Sequence, residues 1–179
     1  THPELTKQVL NTFKKAISMN GSNDEDSMEA ACTCLCNITE KYPEYGKKVV
    51  DTMKGSIKYF SPAKNFYSTL GDITKVRPDL GEEVLSTVNT TLQSDTIDSE
   101  SLKDAYKALG KIAEARPDLG KKTLSTINTY LQADENDKDS LKEAYNALGW
   151  IAVDIPELRE QIITTLKTEI QSPKNEYDR

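Results

Sequence analysis

The sequence predicts an all-α fold, a solenoid of about four and a half two-helix repeats with about nine helices, occupying residues 1–172. Three observations carry that expectation. A proline followed by an acid recurs at Pro3-Glu4, Pro43-Glu44, Pro78-Asp79, Pro117-Asp118 and Pro156-Glu157, at intervals of 40, 35, 39 and 39 residues. The segments behind these prolines align without gaps. Ahead of the last four prolines lies a second periodic segment, and three of its copies carry Leu-Gly.

The segment behind each proline is read as a "Pro helix". Its apolar positions are Leu5, Tyr45, Leu80, Leu119 and Leu158; then Val9, Val49, Val84, Thr123 and Ile162; then Leu10, Val50, Leu85, Leu124 and Ile163. Phe13, Met53, Val88, Ile127 and Leu166 follow, and Ile17, Ile57, Leu92, Leu131 and Ile170 close the stripe. Steps of three and four put these residues on one helical face. Proline suits a first helical turn, where its missing N–H has no partner to lose, and the acid after it favours the positive helix end. Thr12, Thr52, Thr87, Thr126 and Thr165 stand at one position in all five copies, which fits a hydroxyl bonded to the preceding turn at a close helix contact.

The second segment is a "Leu-Gly helix". Its best copies run from Ser101 to Ala113 and from Ser140 to Ala152; the copy after Pro62 keeps Phe66, Tyr67, Leu70, Gly71 and Ile73. A glycine inside a helix costs about 1 kcal/mol against Ala. Gly71, Gly110 and Gly149 repeat at one place, so a close helix crossing is expected there. The repeats are then 3–42, 43–77, 78–116 and 117–155, with a half repeat at 156–171 and a tail at 173–179.

Net charge is −6, which disfavours nucleic acid and anionic membranes as general partners. Only Arg77, Arg116, Arg159 and Arg179 supply the guanidinium suited to phosphate. No run approaches the roughly 20 apolar residues of a membrane helix. The start at Thr1-His2-Pro3 shows no secretory signal pattern and no initiating Met, the expectation for a processed or trimmed chain. Cys32, Cys34 and Cys36 are odd in number and crowded into five residues, which is no disulfide framework and points to a reducing, cytoplasmic setting. In repeat register they replace Tyr106, Ala108 and Gly110, so they read as packing residues.

The core Ala-Tyr-x-Ala-Leu-Gly-x-Ile-Ala at 105–113 and 144–152 resembles the second helix of a HEAT repeat. Connector aspartates (Asp98, and Asp137 or Asp139) and the apolar-basic pairs Ala63-Lys64, Leu102-Lys103 and Leu141-Lys142 extend the resemblance across essentially the whole chain. It departs from the pattern in having proline open the first helix and Lys where Arg is usual; armadillo-type repeats are the near alternative. The resemblance implies a right-handed superhelix with Pro helices on the convex side and Leu-Gly helices on the concave side. Both ends read as open, so a longer parent array is expected.

Chemistry is sparse. The one His, His2, leaves no nucleophile–base pair in the repeats, and there is no glycine-rich phosphate loop. The acidic connectors lack the EF-hand glycine and glutamate and read as helix caps. No cofactor and no metal are expected, and the chain reads as non-catalytic. The exposed face of the Leu-Gly helices is the candidate site: Lys103, Lys107 and Lys111; Lys142, Asn146 and Trp150; and Lys64 in the copy before. Trp150, the only Trp, stands where other repeats have Lys111, Asp72 and Asn37. Tyr67, Tyr106 and Tyr145 form a neighbouring column, expected half-buried with hydroxyls at the concave surface. The function expected is a scaffold holding a segment of another protein on its concave face. The alternatives are nucleic-acid binding through the Lys stripe and a structural spacer within a longer repeat protein.

Overall fold

The computed structural model describes residues 25–56, 65–93, 98–132 and 136–171, together with Glu4, Gln8 and Asn11, which are helical and exposed. Most of the first Pro helix therefore lies outside the described residues, as do Lys64 and the tail. The described residues form eight α-helices and no strand. They are α1 (Glu25–Lys41), α2 (Gly46–Ser56), α3 (Phe66–Val76), α4 (Gly81–Leu92), α5 (Ser99–Ala115), α6 (Gly120–Leu131), α7 (Lys138–Asp154) and α8 (Arg159–Ile170). None is long and apolar enough to cross a membrane.

Each Leu-Gly helix turns into its Pro helix through one residue. The N–H groups of Tyr42, Arg77, Arg116 and Ile155 donate to Ile38, Ile73, Ile112 and Ile151 O at 2.8 Å, closing the helix before. Their own carbonyls accept from Tyr45, Leu80, Leu119 and Leu158 N at 2.9–3.0 Å, opening the next. The proline between forces this corner, because its ring drives the preceding residue out of the helical region; Arg116 has φ −138° and ψ 78°. The Pro helices thus open with a 3₁₀ turn, Pro43–Tyr45, Pro78–Leu80, Pro117–Leu119 and Pro156–Leu158, and become α-helical three residues later than the pattern predicts.

The helices form two rows. In one, α1 packs on α3, α3 on α5 and α5 on α7, the most extensive contacts in the molecule. In the other, α2, α4, α6 and α8 touch each other through long side chains: Lys47 pairs with Glu83 and Lys122 with Glu82, each at 2.7 Å. Thr126 and Thr165 hydroxyls donate to Asn89 and Asn128 Oδ1 at 2.9 and 3.2 Å. Thr52, Thr87 and Thr126 also bond the carbonyl four residues back, as expected; Thr12 lies outside the described residues. The core runs between the rows as one cluster containing Val49, Met53, Leu70, Val84, Leu109, Ile127 and Leu148. Each such side chain contributes about 1.5–3 kcal/mol by leaving water.

Asp98 and Asp137 cap α5 and α7, accepting from Ser101 and Ser140 N at 2.7 and 2.8 Å. α3 lacks such a cap. It begins at Asn65, whose φ of 65° is left-handed, and its first turn is capped from the neighbouring helix instead. The Asp104 carboxylate accepts from Tyr67 N at 2.8 Å and Ser68 N at 3.1 Å.

Candidate functional site

The candidate surface is the side of α3, α5 and α7 that faces away from the Pro helices. Its geometry is set by glycine. A Cβ built on Gly71 would lie 3.0 Å from Ala108 Cα and 3.1 Å from Lys111 Cβ; one on Gly110 would lie 2.6 Å from Trp150 Cε3 and 3.4 Å from Ala147 Cα. The crossing expected from the repeated glycines is present at Gly71 and Gly110. At Gly149 it is absent: nothing lies within 4 Å of an added Cβ.

The residue three after each of these alanines lies back across the previous repeat. Lys111 runs over Gly71, and its Nζ donates to Asp72 Oδ2 at 2.7 Å and Ser68 O at 3.3 Å. Trp150 sits in the same register over Gly110, with 44% of its surface exposed. It is therefore seated on a neighbouring helix with about half its surface exposed.

Two of the four described lysines of the stripe are paired with carboxylates. Lys103 Nζ meets Glu100 at 3.0 Å, and Lys111 meets Asp72; only 23% of either side chain is exposed. Lys107 is half-buried and makes no ion pair with a described carboxylate. Lys142 and Asn146 are exposed, and Asn146 Nδ2 donates to Glu143 at 3.3 Å.

The tyrosine column needs correction. Tyr67 and Tyr106 are wholly buried, and their hydroxyls do not reach the surface. Tyr106 donates to Asn136 Oδ1 in the connector at 3.0 Å. Tyr67 Oη lies near Thr91 but makes no hydrogen bond of normal geometry among the described residues. Burial pushes both phenols well above their ordinary range. The cause is stacking: the next Leu-Gly helix covers the flank that an isolated helix would leave open. Tyr145, on which no described Leu-Gly helix stacks, is half-buried as expected.

The cysteines do not converge. Cys32 is buried, its thiol pushed up to about 12 by burial; Cys36 is half-buried, pushed up to about 11 by burial and by Asp72; Cys34 is exposed. Thiols held so far above neutral pH are poor nucleophiles. Among the described residues no group of three or more His, Cys, Asp or Glu side chains could hold a metal ion.

Two features were missed in the sequence. Arg77 and Arg116 each fork onto the aspartate two residues on, Asp79 and Asp118, at 2.6–2.7 Å. Each then reaches back to a proline carbonyl of the previous repeat, Pro43 O and Pro78 O, the latter at 2.8 Å. A second glycine column, Gly46, Gly81 and Gly120, lies beneath Arg77, Arg116 and Ile155; a Cβ on Gly120 would lie 2.2 Å from Ile155 Cδ1. The verbatim repeat Arg-Pro-Asp-Leu-Gly at 77–81 and 116–120 is the signal that carried both.

Compared with known proteins, the chain matches no family model, no curated protein and no solved structure. The HEAT-like reading therefore rests on the internal repeat.

Proposed function

We propose that this chain is a non-catalytic helical-repeat scaffold whose Leu-Gly face holds a segment of another protein. The observation that carries the reading is Trp150. Its position in the other repeats is occupied by Asp72 and Lys111, which satisfy each other, whereas Trp150 presents a half-exposed indole fixed on Gly110. Trp is among the residue types most enriched at binding hot spots, and one held in a fixed seat loses little freedom on binding. Lys107 and Asn146 flank it one turn away, which favours an extended segment carrying an acid and an apolar anchor.

The HEAT-like array, its solenoid form, its right-handed sense and a cytoplasmic setting belong to the same proposal. The close Leu-Gly row and the splayed Pro row support placing the former on the concave side, since the inner side of a curved stack has the shorter spacing. Pairing of Lys103 and Lys111 with carboxylates weakens the nucleic-acid alternative, because those amines are already partnered.

A peptide-display selection on the immobilised chain tests the proposal. Selected peptides should lose at least tenfold in affinity against Trp150→Ala and against Lys107→Glu, with little dependence on salt. Selection of peptides indifferent to both variants, or no selection at all, would sink it.

A further inference from the structure

The joints between successive repeats are of two kinds. Where α5 and α6 meet α3 and α4, three ion pairs cross: Lys111 Nζ to Asp72 at 2.7 Å, Lys75 Nζ to Glu114 at 2.6 Å and Lys122 Nζ to Glu82 at 2.7 Å. Arg116 adds its bond to Pro78 O. One joint further on, the counterparts of Lys111, Glu114, Arg116 and Lys122 are Trp150, Val153, Ile155 and Gln161, none of them charged. There Trp150 and Ile155 pack on Gly110 and Gly120 instead. Lys103 feels Asp139 and Glu143 across that joint, but its amine pairs within its own helix, with Glu100. Side-chain bonds that cross it, Tyr106 to Asn136, Thr165 to Asn128 and Ser99 to Asp137, pair no two charges.

The Pro row shows how the charged joints are keyed. The two residues after the first glycine are Lys47-Lys48 in α2, Glu82-Glu83 in α4 and Lys121-Lys122 in α6. The first of one helix reaches the second of the next: Lys47 to Glu83 and Glu82 to Lys122, each at 2.7 Å. Alternating sign lets both links attract. The next link would join Lys121 to residue 161, where glutamine ends the series.

We infer that the joints give the array a local response to ionic strength: rising salt loosens α3 and α4 from α5 and α6, and leaves the joint that seats Trp150 as it is. One exposed pair contributes little, so the response comes from three pairs screened together at one joint. No partner is needed for it, and it stands whether or not Trp150 binds one.

Hydrogen–deuterium exchange of the whole chain, compared amide by amide between about 0.01 and 1 M NaCl, tests this; the Debye length falls from about 30 to about 3 Å over that range. Rates in α3 and α4 should rise at least about threefold more than those in α7. Lys75→Gln together with Glu82→Gln removes two surface pairs of that joint and should take away most of the difference. Equal salt responses in α3, α4 and α7, or a difference undiminished in the double variant, overturn the inference. Gln161→Glu supplies the missing link to Lys121. Exchange in α8 should then slow at least about twofold at the lower salt and not at the higher, and the gain should vanish in a Lys121→Gln background. No gain, or one that persists without Lys121 and so comes from the helix dipole, overturns the inference as well.

Discussion

The Asp104 carboxylate caps a helix that belongs to another repeat: it accepts the backbone N–H groups of Tyr67 and Ser68 across the α3–α5 contact, at 2.8 and 3.1 Å. α5 and α7 carry their own connector aspartates, but α3 starts from left-handed Asn65 and has none. The carboxylate is almost wholly buried, and that burial raises its pKa despite the bonds that favour the charged form. Asp104→Ala strands two N–H groups and should cost about 2–3 kcal/mol in urea unfolding. Asp104→Asn keeps one acceptor and should cost less. Equal losses would mean the capping bonds contribute little beyond packing.

Acid sensitivity should separate an exposed cap from this buried one. Bonds from Ser99 and from Ser140 N hold the Asp137 carboxyl below its ordinary value. A depressed folded pKa contributes stability above the unfolded value, lost as pH falls through the folded one. The difference between the parent chain and Asp137→Ala, about 1 kcal/mol for an N-cap, should therefore be flat above about pH 5 and shrink in more acid solution. Asp104 runs the other way. Its folded pKa is raised, so the advantage of the parent chain over Asp104→Asn should be fullest below the ordinary carboxylate range and decline as pH rises. Unfolding curves across pH 3–7 read both trends.

The buried stripe Val84-Leu85-Val88-Leu92 was legible because a single helix displays its own periodicity. So were the aspartate caps and the crossings at Gly71 and Gly110. What a helix meets on its flanks was not, since that depends on its neighbour in the row. Tyr67 and Tyr106 lie on such a flank and proved buried, while Gly149 repeats in sequence yet meets nothing. Nothing in the sequence singled out Asp104, because its capping role arises from where α3 starts in the neighbouring repeat. Trp150 stood out by composition, but its seat on Gly110 required the crossing geometry.

Arg116 ties repeats together through a neutral acceptor. Its fork onto Asp118 lies at the surface, with the carboxylate side mostly exposed, and ion pairs of that kind contribute little to stability. The bond to Pro78 O is the inter-repeat link, and Asp118 holds the guanidinium flat to make it. Arg116→Ala should cost about 1 kcal/mol, and Arg116→Lys nearly as much, because an ammonium cannot fork and reach back at once. Asp118→Asn should cost under about 0.5 kcal/mol. If Asp118→Asn matches Arg116→Ala in thermal unfolding, the ion pair rather than the proline carbonyl is the stabilising element.

Trp150 and Gly110 should behave as one unit in a double-mutant cycle. Even the Cβ of a substituted residue 110 would approach the indole to 2.6 Å, so Gly110→Leu forces the ring out and overpacks the crossing, at about 1–3 kcal/mol. Trp150→Ala removes a ring with 44% of its residue surface exposed and should cost about 1–2 kcal/mol, less than the truncation of a fully buried Trp. In the Trp150→Ala background the nearest obstacle at residue 110 becomes Ala147 Cα at 3.4 Å, an ordinary contact. Gly110→Leu should then cost less than it does alone, and the two losses should fall short of additive by about 1 kcal/mol. Lys107→Leu, one turn from the crossing, should stay within about 0.5 kcal/mol of the parent chain. Strict additivity of the pair in chemical denaturation would show that the indole does not rest on Gly110, and would remove the rigid seat on which the binding role of Trp150 depends.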